Sequence, residues 1–203
     1  MSDRSRNFLI GLAVAGLLSA LAVILRVPIL GFTSFTSVSG GGFSLLLRTL
    51  AAAANWLERD AGHHDRFLLF VDEFDPHEPF DTPEPYASMY DPEWNGPHLI
   101  WPPYARGAVA TGVLTPAQAH QVRAQYGAKL TMIDAWFGRV LDALDVSGLA
   151  DSTAVFVLTD HGHYLGEKDI WGKPAAPVYE PLGHIPMFVR WPGIGRASCR
   201  ERV

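Results

Sequence analysis

The apolar run Ala154-Val155-Phe156-Val157-Leu158 breaks without transition into Thr159-Asp160-His161-Gly162-His163-Tyr164-Leu165-Gly166-Glu167. Five apolar residues, three of them Val or Phe, are too short for a helix and read as a buried strand. A strand apolar on both faces belongs inside a parallel sheet covered by helices, and such sheets collect ligands beyond the carboxyl ends of their strands. The burst of Asp, His and Glu is therefore expected on the ligand-facing edge. Asp160 and His161 side by side suit a metal, because both offer lone pairs and the strand fixes their direction. Shortly beyond, Ile170-Trp171-Gly172-Lys173-Pro174 adds a cation.

The flanking sequence supplies the rest of such a sheet. Phe43, Leu46, Leu47, Leu50, Ala54 and Leu57 recur at helical spacing, and Gly62 stops the segment. Arg66 to Val71 then reads as a second buried strand, ending in another polar burst from Asp72 to Asp81. Residues 81–115 are rich in Pro, Trp and Tyr, a surface excursion without regular elements that packs as a long loop or stacks on a ring-shaped substrate. Thr115-Pro116 opens a long helix with Thr as N-cap and Pro in the first turn. Val122, Tyr126, Leu130, Ile133, Phe137, Val140, Leu141 and Leu144 line one face of it, and Gly148 ends it. Ile185 to Trp191 is a third apolar strand. The predicted fold is α/β, a mostly parallel sheet with helices on both faces.

Charge narrows the partners. Residues 27–193 carry ten Lys/Arg against nineteen Asp/Glu, a net of −9, while the first 26 are net +2. An acidic body without a basic cluster argues against nucleic acid. The single cysteine, Cys199, rules out an intrachain disulfide.

Both ends of the chain read differently from its body, giving segments 1–42, 43–193 and 194–203. Phe8 to Leu25 holds eighteen residues without a charge, flanked by Arg4, Arg6 and Arg26. It fits a short membrane-spanning helix or signal anchor, a cleavable signal peptide using Ala20-Leu21-Ala22, a buried core helix, or a non-native start. As a native segment it implies a membrane-anchored, periplasmic or secreted protein. Residues 31–42, rich in Gly, Ser and Thr, read as a linker. Ile194 to Val203 reads as the in-frame translation of a sequencing-adapter oligonucleotide, with a genuine basic tail as the alternative.

Three polar clusters converge if the strands are parallel: Asp72 to Asp81, Asp160 to Glu167, and Lys173. Asp160 and His161 offer one oxygen and one nitrogen ligand, too few for a closed site. A carboxylate-led site favours a hard cation such as Ca²⁺ or Mg²⁺, and Zn²⁺ would gain if His163 also bound. His77 and Lys173 suit gripping an anion or protonating a leaving oxygen. Equally, a His beside Pro is commonly a turn residue, and a lone Lys on a loop is commonly solvated.

The motifs carry a resemblance. Leu158 to Glu167 (Leu-Thr-Asp-His-Gly-His-Tyr-Leu-Gly-Glu), followed by Trp171-Gly172-Lys173-Pro174, resembles the C-terminal metal-site motif of the sulfatases, in the alkaline-phosphatase-like superfamily. Phe70 to Asp81 (Phe-Val-Asp-Glu-Phe-Asp-Pro-His-Glu-Pro-Phe-Asp) is similar to the family's substrate-binding His loop. The helix from Tyr126 through Asp134 and Gly138, the turn from Gly148 to Thr153, and Ile185 to Gly193 follow the family too. The resemblance implies hydrolysis of a small-molecule or carbohydrate sulfate ester, with Asp160 and His161 as ligands of a divalent metal, usually Ca²⁺. It implies that His77 and Lys173 contact the sulfate. It gives no role to His163 or Glu167, and His184 reads as structural.

The departures concern the nucleophile. The family uses a Cys or Ser in a Cys/Ser-x-Pro-Ser-Arg motif, oxidised to formylglycine, and an N-terminal acidic pair that completes the metal site. Neither that motif nor an Asp-Asp dipeptide occurs in these residues. The expectation is an incomplete sulfatase domain without turnover of its own. A phosphonate or phosphodiester hydrolase of the same superfamily is the nearest alternative, and a membrane-anchored, non-catalytic sulfatase-like protein is the alternative from another class.

Overall fold

The computed structural model describes residues 8–14, 22–26, 32–36, 43–175, 177–193 and 195–199. Its main sheet contains β1 (Phe8–Val14), β2 (Ala22–Arg26), β3 (Phe32–Thr36), β4 (Leu68–Glu73), β6 (Val155–Leu158), β9 (Met187–Trp191) and β10 (Gly195–Cys199). A small second sheet joins β5 (Ala105–Arg106), β8 (Ile170–Gly172) and β7 (Tyr164–Leu165). The helices are α1 (Phe43–Arg59), α2 (Pro116–Val146) and the single turn α3 (Glu180–Gly183).

Registration around β1 sets the site. Leu12 of β1 lies opposite Val71 of β4 on one side and Val157 of β6 on the other, and both pairings are parallel. The two strands that end in polar bursts therefore end level, on the same edge of the sheet. The strand at Met187–Trp191 differs from the parallel pattern expected: it runs antiparallel to β6, with Leu158 opposite Met187. A parallel return needs a crossover that carries the chain back to the starting edge. Among the described residues between Leu158 and Met187 the only α-helix is the four-residue α3, so the chain re-enters from the edge it left. Strands β2 and β10 also pair antiparallel, and the sheet is mixed around a parallel centre.

The described part of the apolar N-terminal segment corrects the membrane-helix expectation. Phe8–Val14 and Ala22–Arg26 are strands, and among the described residues no helix is long and apolar enough to cross a membrane. An interior strand of a covered sheet is as continuously apolar as a membrane span, so hydropathy does not separate them. Residues 20 and 21 of the cleavage-site reading lie outside the described residues. The linker expectation is corrected at 32–36, where Phe32–Thr36 is a strand parallel to β4, which suits the β-branched and aromatic Phe-Thr-Ser-Phe-Thr, while 31 and 37–42 lie outside the described residues.

The main core lies between α1, α2 and one face of the sheet. Leu46, Leu50 and Leu57 of α1 pack with Met132, Ile133, Val140 and Leu144 of α2 against Leu69, Val71 and Val155. Both long helices thus cover the same face. Helix α2 starts at a full capping box: Thr115 Oγ1 accepts from the Gln118 amide at 3.2 Å, and Gln118 Oε1 accepts from the Thr115 amide at 2.9 Å. A second core under the excursion joins Phe80, Ala108, Leu114, Val122 and Trp171.

Candidate active site

Three segments meet at the carboxyl edge: the loop after β4 carrying His77 and Glu78, the loop after β6 carrying Asp160, His161 and His163, and the residue after β8, Lys173. Strand β8 is held in place by β5 from the excursion, with Ala105 opposite Trp171, and by β7, with Leu165 opposite Trp171. Asp169, just before β8, accepts from the Val109 and Ala110 amides at 3.0 and 2.9 Å and from the Trp171 indole at 2.9 Å. These bonds hold its carboxyl below the ordinary carboxylate range. The excursion is therefore a clamp that fixes where Lys173 stands.

The loop after β4 is fixed from beneath by Lys129 of α2. Its fully buried ammonium meets Asp75 at 2.8 Å and Asp81 at 3.0 Å, and donates to the Pro79 carbonyl at 2.8 Å. Burial pushes the Asp75 carboxyl up, against the pull of Lys129. The loop after β6 turns tightly: a Cβ on Gly162 would stand 1.9 Å from the Pro181 carbonyl oxygen, so no side chain fits there.

Glu78 is the meeting point. Its carboxylate lies 3.3 Å from Lys173 Nζ, 3.5 Å from His77 Nδ1 and 3.9 Å from His163 Nδ1, and it accepts from the Tyr104 hydroxyl. His77 Nδ1 also faces the Glu78 carbonyl at 2.7 Å, which places a proton on Nδ1 and leaves Nε2 on the far side of the ring. The Nε2 atoms of His77 and His163 are both buried and, among the described residues, without a hydrogen-bond partner. His163 stacks on Tyr126 and meets Phe80 edge-on. Burial, reinforced by Lys173, His77 and His161 and opposed by Glu78, pushes its imidazole down to about 4. Burial also pushes the Lys173 ammonium down, while Glu78 and Asp160 draw it back up.

Asp160 and His161 form a separate pair on the same edge. The His161 amide donates to Asp160 Oδ1 at 2.6 Å, and His161 Nδ1 faces the Gly162 carbonyl at 2.8 Å. The Nε2 lone pair then stands 3.6 Å from Asp160 Oδ2, with both side chains about one-third exposed. An oxygen and an imine nitrogen side by side, each oriented by a bond from its other end, fit two adjacent positions around a divalent cation. Among the described residues no group of three or more His, Cys, Asp or Glu is arranged to hold a metal. A cavity of about 370 Å³ opens beside the histidines, lined by His161, His163, Tyr126, Ile133, Val157 and Phe188.

His77, Asp160, His161, His163 and Lys173 thus lie on one edge, but the grouping is new. His77 and Lys173 meet at Glu78, while Asp160 pairs with His161 and also faces Lys173. Glu167 accepts from the Leu165 amide at 2.8 Å and shapes its own turn. His184 pairs with Glu180 at 2.8 Å, beside the cavity. Sequence reasoning missed Glu78, Tyr104 and Lys129. Lys129 had a visible signal, since it falls on the apolar stripe between Tyr126 and Ile133. Glu78 had a weaker one, an acid between two prolines and beside the candidate His. Tyr104 had none.

Known proteins share sequence and fold with this chain. A family model described as Sulfatase matches residues 37–203. The ulvan-active sulfatase of Formosa agariphila is 28% identical over 145 residues, which cover 71% of this chain and 26% of that protein. The iduronate 2-sulfatase of Homo sapiens is 28% identical over 163 residues, covering 70% and 29%. Among solved structures, the phosphonate monoester hydrolase SpPMH from Silicibacter pomeroyi aligns with a TM-score of 0.51 at 28% identity, over 74% of this chain and 32% of that one. The chain spans about a quarter to a third of the length of these proteins.

Proposed function

The chain belongs to the sulfatase family, with its alkaline-phosphatase-like α/β fold, and on that premise we propose that this sheet edge is the anion-holding and metal-holding part of a site that hydrolyses sulfate esters. The observation that carries the reading is the convergence of His77, His163 and Lys173 from three segments, with two buried imidazole nitrogens left unpartnered. Buried polar atoms without partners are rare and mark places where a ligand completes the bonding.

In this reading Lys173 supplies a point charge to the sulfate oxygens, and His77 presents Nε2 to them because Nδ1 is committed to the Glu78 carbonyl. A protonated His77 can pass its Nε2 proton to the leaving oxygen. His163, neutral at pH 7, adds no further charge, and donates to a sulfate oxygen from Nε2 in the tautomer that carries its proton there. Asp160 Oδ2 and His161 Nε2 would hold a divalent cation, Ca²⁺ in the family, which supplies positive charge against the developing negative charge on the sulfate oxygens. The covalent step needs the formylglycine motif, which these 203 residues do not contain, so the chain by itself is read as inactive.

A second reading, hydrolysis of phosphonate monoesters, draws on the likeness to the Silicibacter pomeroyi enzyme. Steady-state rates of the full-length protein on 4-nitrophenyl sulfate and 4-nitrophenyl phenylphosphonate decide between them. His77→Ala and Lys173→Ala are each expected to lower kcat on the preferred ester by about 10²–10³-fold with little change in melting temperature. Undiminished turnover in both variants sinks the site assignment.

A further inference from the structure

We propose that Glu78 is the positioning residue of this site: one buried carboxylate, bonded to Lys173 and to the Tyr104 hydroxyl, sets the direction of Lys173 so that its remaining donors face a bound oxyanion. The inference rests on the functional reading above and adds a residue to it.

The geometry is that of a hub. Glu78 has a side chain 2% exposed, and it lies within 3.3–3.9 Å of a nitrogen from each of three basic side chains. Those side chains come from the loop after β4, the loop after β6 and the residue after β8. Its second oxygen is occupied by Tyr104, from the excursion. Tyr104 reaches it only because residue 172 lacks a side chain: a Cβ on Gly172 would meet Tyr104 Cδ2 at 2.8 Å. One carboxylate thus ties its own loop to the loop after β6, the residue after β8 and the excursion. A buried charge pair contributes little net stability compared with apolar packing, so its place here is better explained by what it orients.

The alternative of Glu78 as a ligand-contacting acid fits poorly. Both its oxygens are engaged, and a free carboxylate facing an anionic ester would repel it. The groups facing Lys173 are Glu78, Asp160 and the Tyr104 ring, 6.0 Å away. Those facing His163 are Glu78, Lys173, His77, His161 and the rings of Tyr126 and Phe80. Glu78 is the carboxylate common to both.

The test uses Glu78→Gln, which keeps shape and the Tyr104 contact, and Glu78→Asp, which keeps charge, in the full-length protein. With 4-nitrophenyl sulfate, Gln is expected to lose about 10²-fold in kcat with a smaller change in KM, since misplacement of the groups around the reacting atoms has that effect. Asp should recover about tenfold over Gln at a matched melting temperature. A Gln variant with wild-type kcat/KM overturns the proposal, as does equal loss in Gln and Asp that follows a fall in melting temperature. Wild-type protein that cleaves only the phosphonate ester redirects the functional reading, and the same variants are then compared on that ester. If wild type cleaves neither, the functional reading falls. Calorimetric titration with inorganic sulfate then decides: about tenfold weaker binding by Gln supports Glu78, and equal binding overturns it.

Discussion

At the scale of single residues, the site depends on groups that never face the ligand. Lys129 is fully buried, yet its ammonium satisfies Asp75, Asp81 and the Pro79 carbonyl, bracketing His77 and Glu78 on both sides. Deleting one partner of such a cluster leaves buried charge uncompensated, which is far more damaging than never having had the pair. Lys129→Met is therefore expected to destabilise the fold by about 3 kcal/mol in urea unfolding. Adding Asp75→Asn should recover part of that loss, because the orphaned carboxylate is removed with its partner. Strict additivity of the two changes would show that the pair is not coupled.

At the scale of elements, α2 carries two roles on two stripes. One stripe, through Met132, Ile133, Val140 and Leu144, packs on α1 and the sheet. The other, through Gln121, Gln125 and Lys129, is buried although polar; Gln125 donates to the Ala87 carbonyl at 2.8 Å, binding the excursion. The helix start is set locally by Thr115 and Gln118. Thr115→Ala removes the hydroxyl that accepts from the Gln118 amide and is expected to lower stability by about 1 kcal/mol, with Thr115→Ser near wild type, both read by urea midpoint. Equal stability of all three proteins would mean that the cap is not formed in solution. The apolar periodicity and the Thr-Pro start were legible because they are local. Of the polar stripe only Lys129 was legible, since it falls between Tyr126 and Ile133; the burial of Gln121 and Gln125 separates them from a solvated face only in the folded chain.

At the scale of the whole molecule, His163 couples folding to pH. Its folded imidazole titrates near 4, below the ordinary histidine value of about 6.5. Above about pH 6.5 both folded and unfolded forms are neutral, and stability is untouched. As pH falls from about 6.5 towards 4 the unfolded chain takes up the proton first, so stability falls. Protonation of the folded form near 4 ends the decline. The full effect is at most about 3 kcal/mol, measured by urea unfolding between pH 7 and 4 in EDTA against His163→Gln. A wild-type decline no steeper than that of the Gln variant would refute the burial of this ring.

What the sequence determined by itself is local: the strand that ends at Leu158, the cap and apolar stripe of α2, and residues whose chemistry suits an anion and a metal. Those features rest on neighbours a few positions away, where alternation, helical spacing and capping chemistry act directly. The tertiary structure decided the rest. Val71 and Val157 both stand opposite Leu12, and that shared register brings the loop after β4 level with the loop after β6. It also placed the apolar segment at Phe8–Val14 inside the sheet, a role hydropathy shares with a membrane helix. Above all it put Glu78, Tyr104 and Lys173 in contact. Hydrogen bonds and charge pairs reach only about 3–4 Å, and no separation along the chain foretells which distant groups will meet at that range.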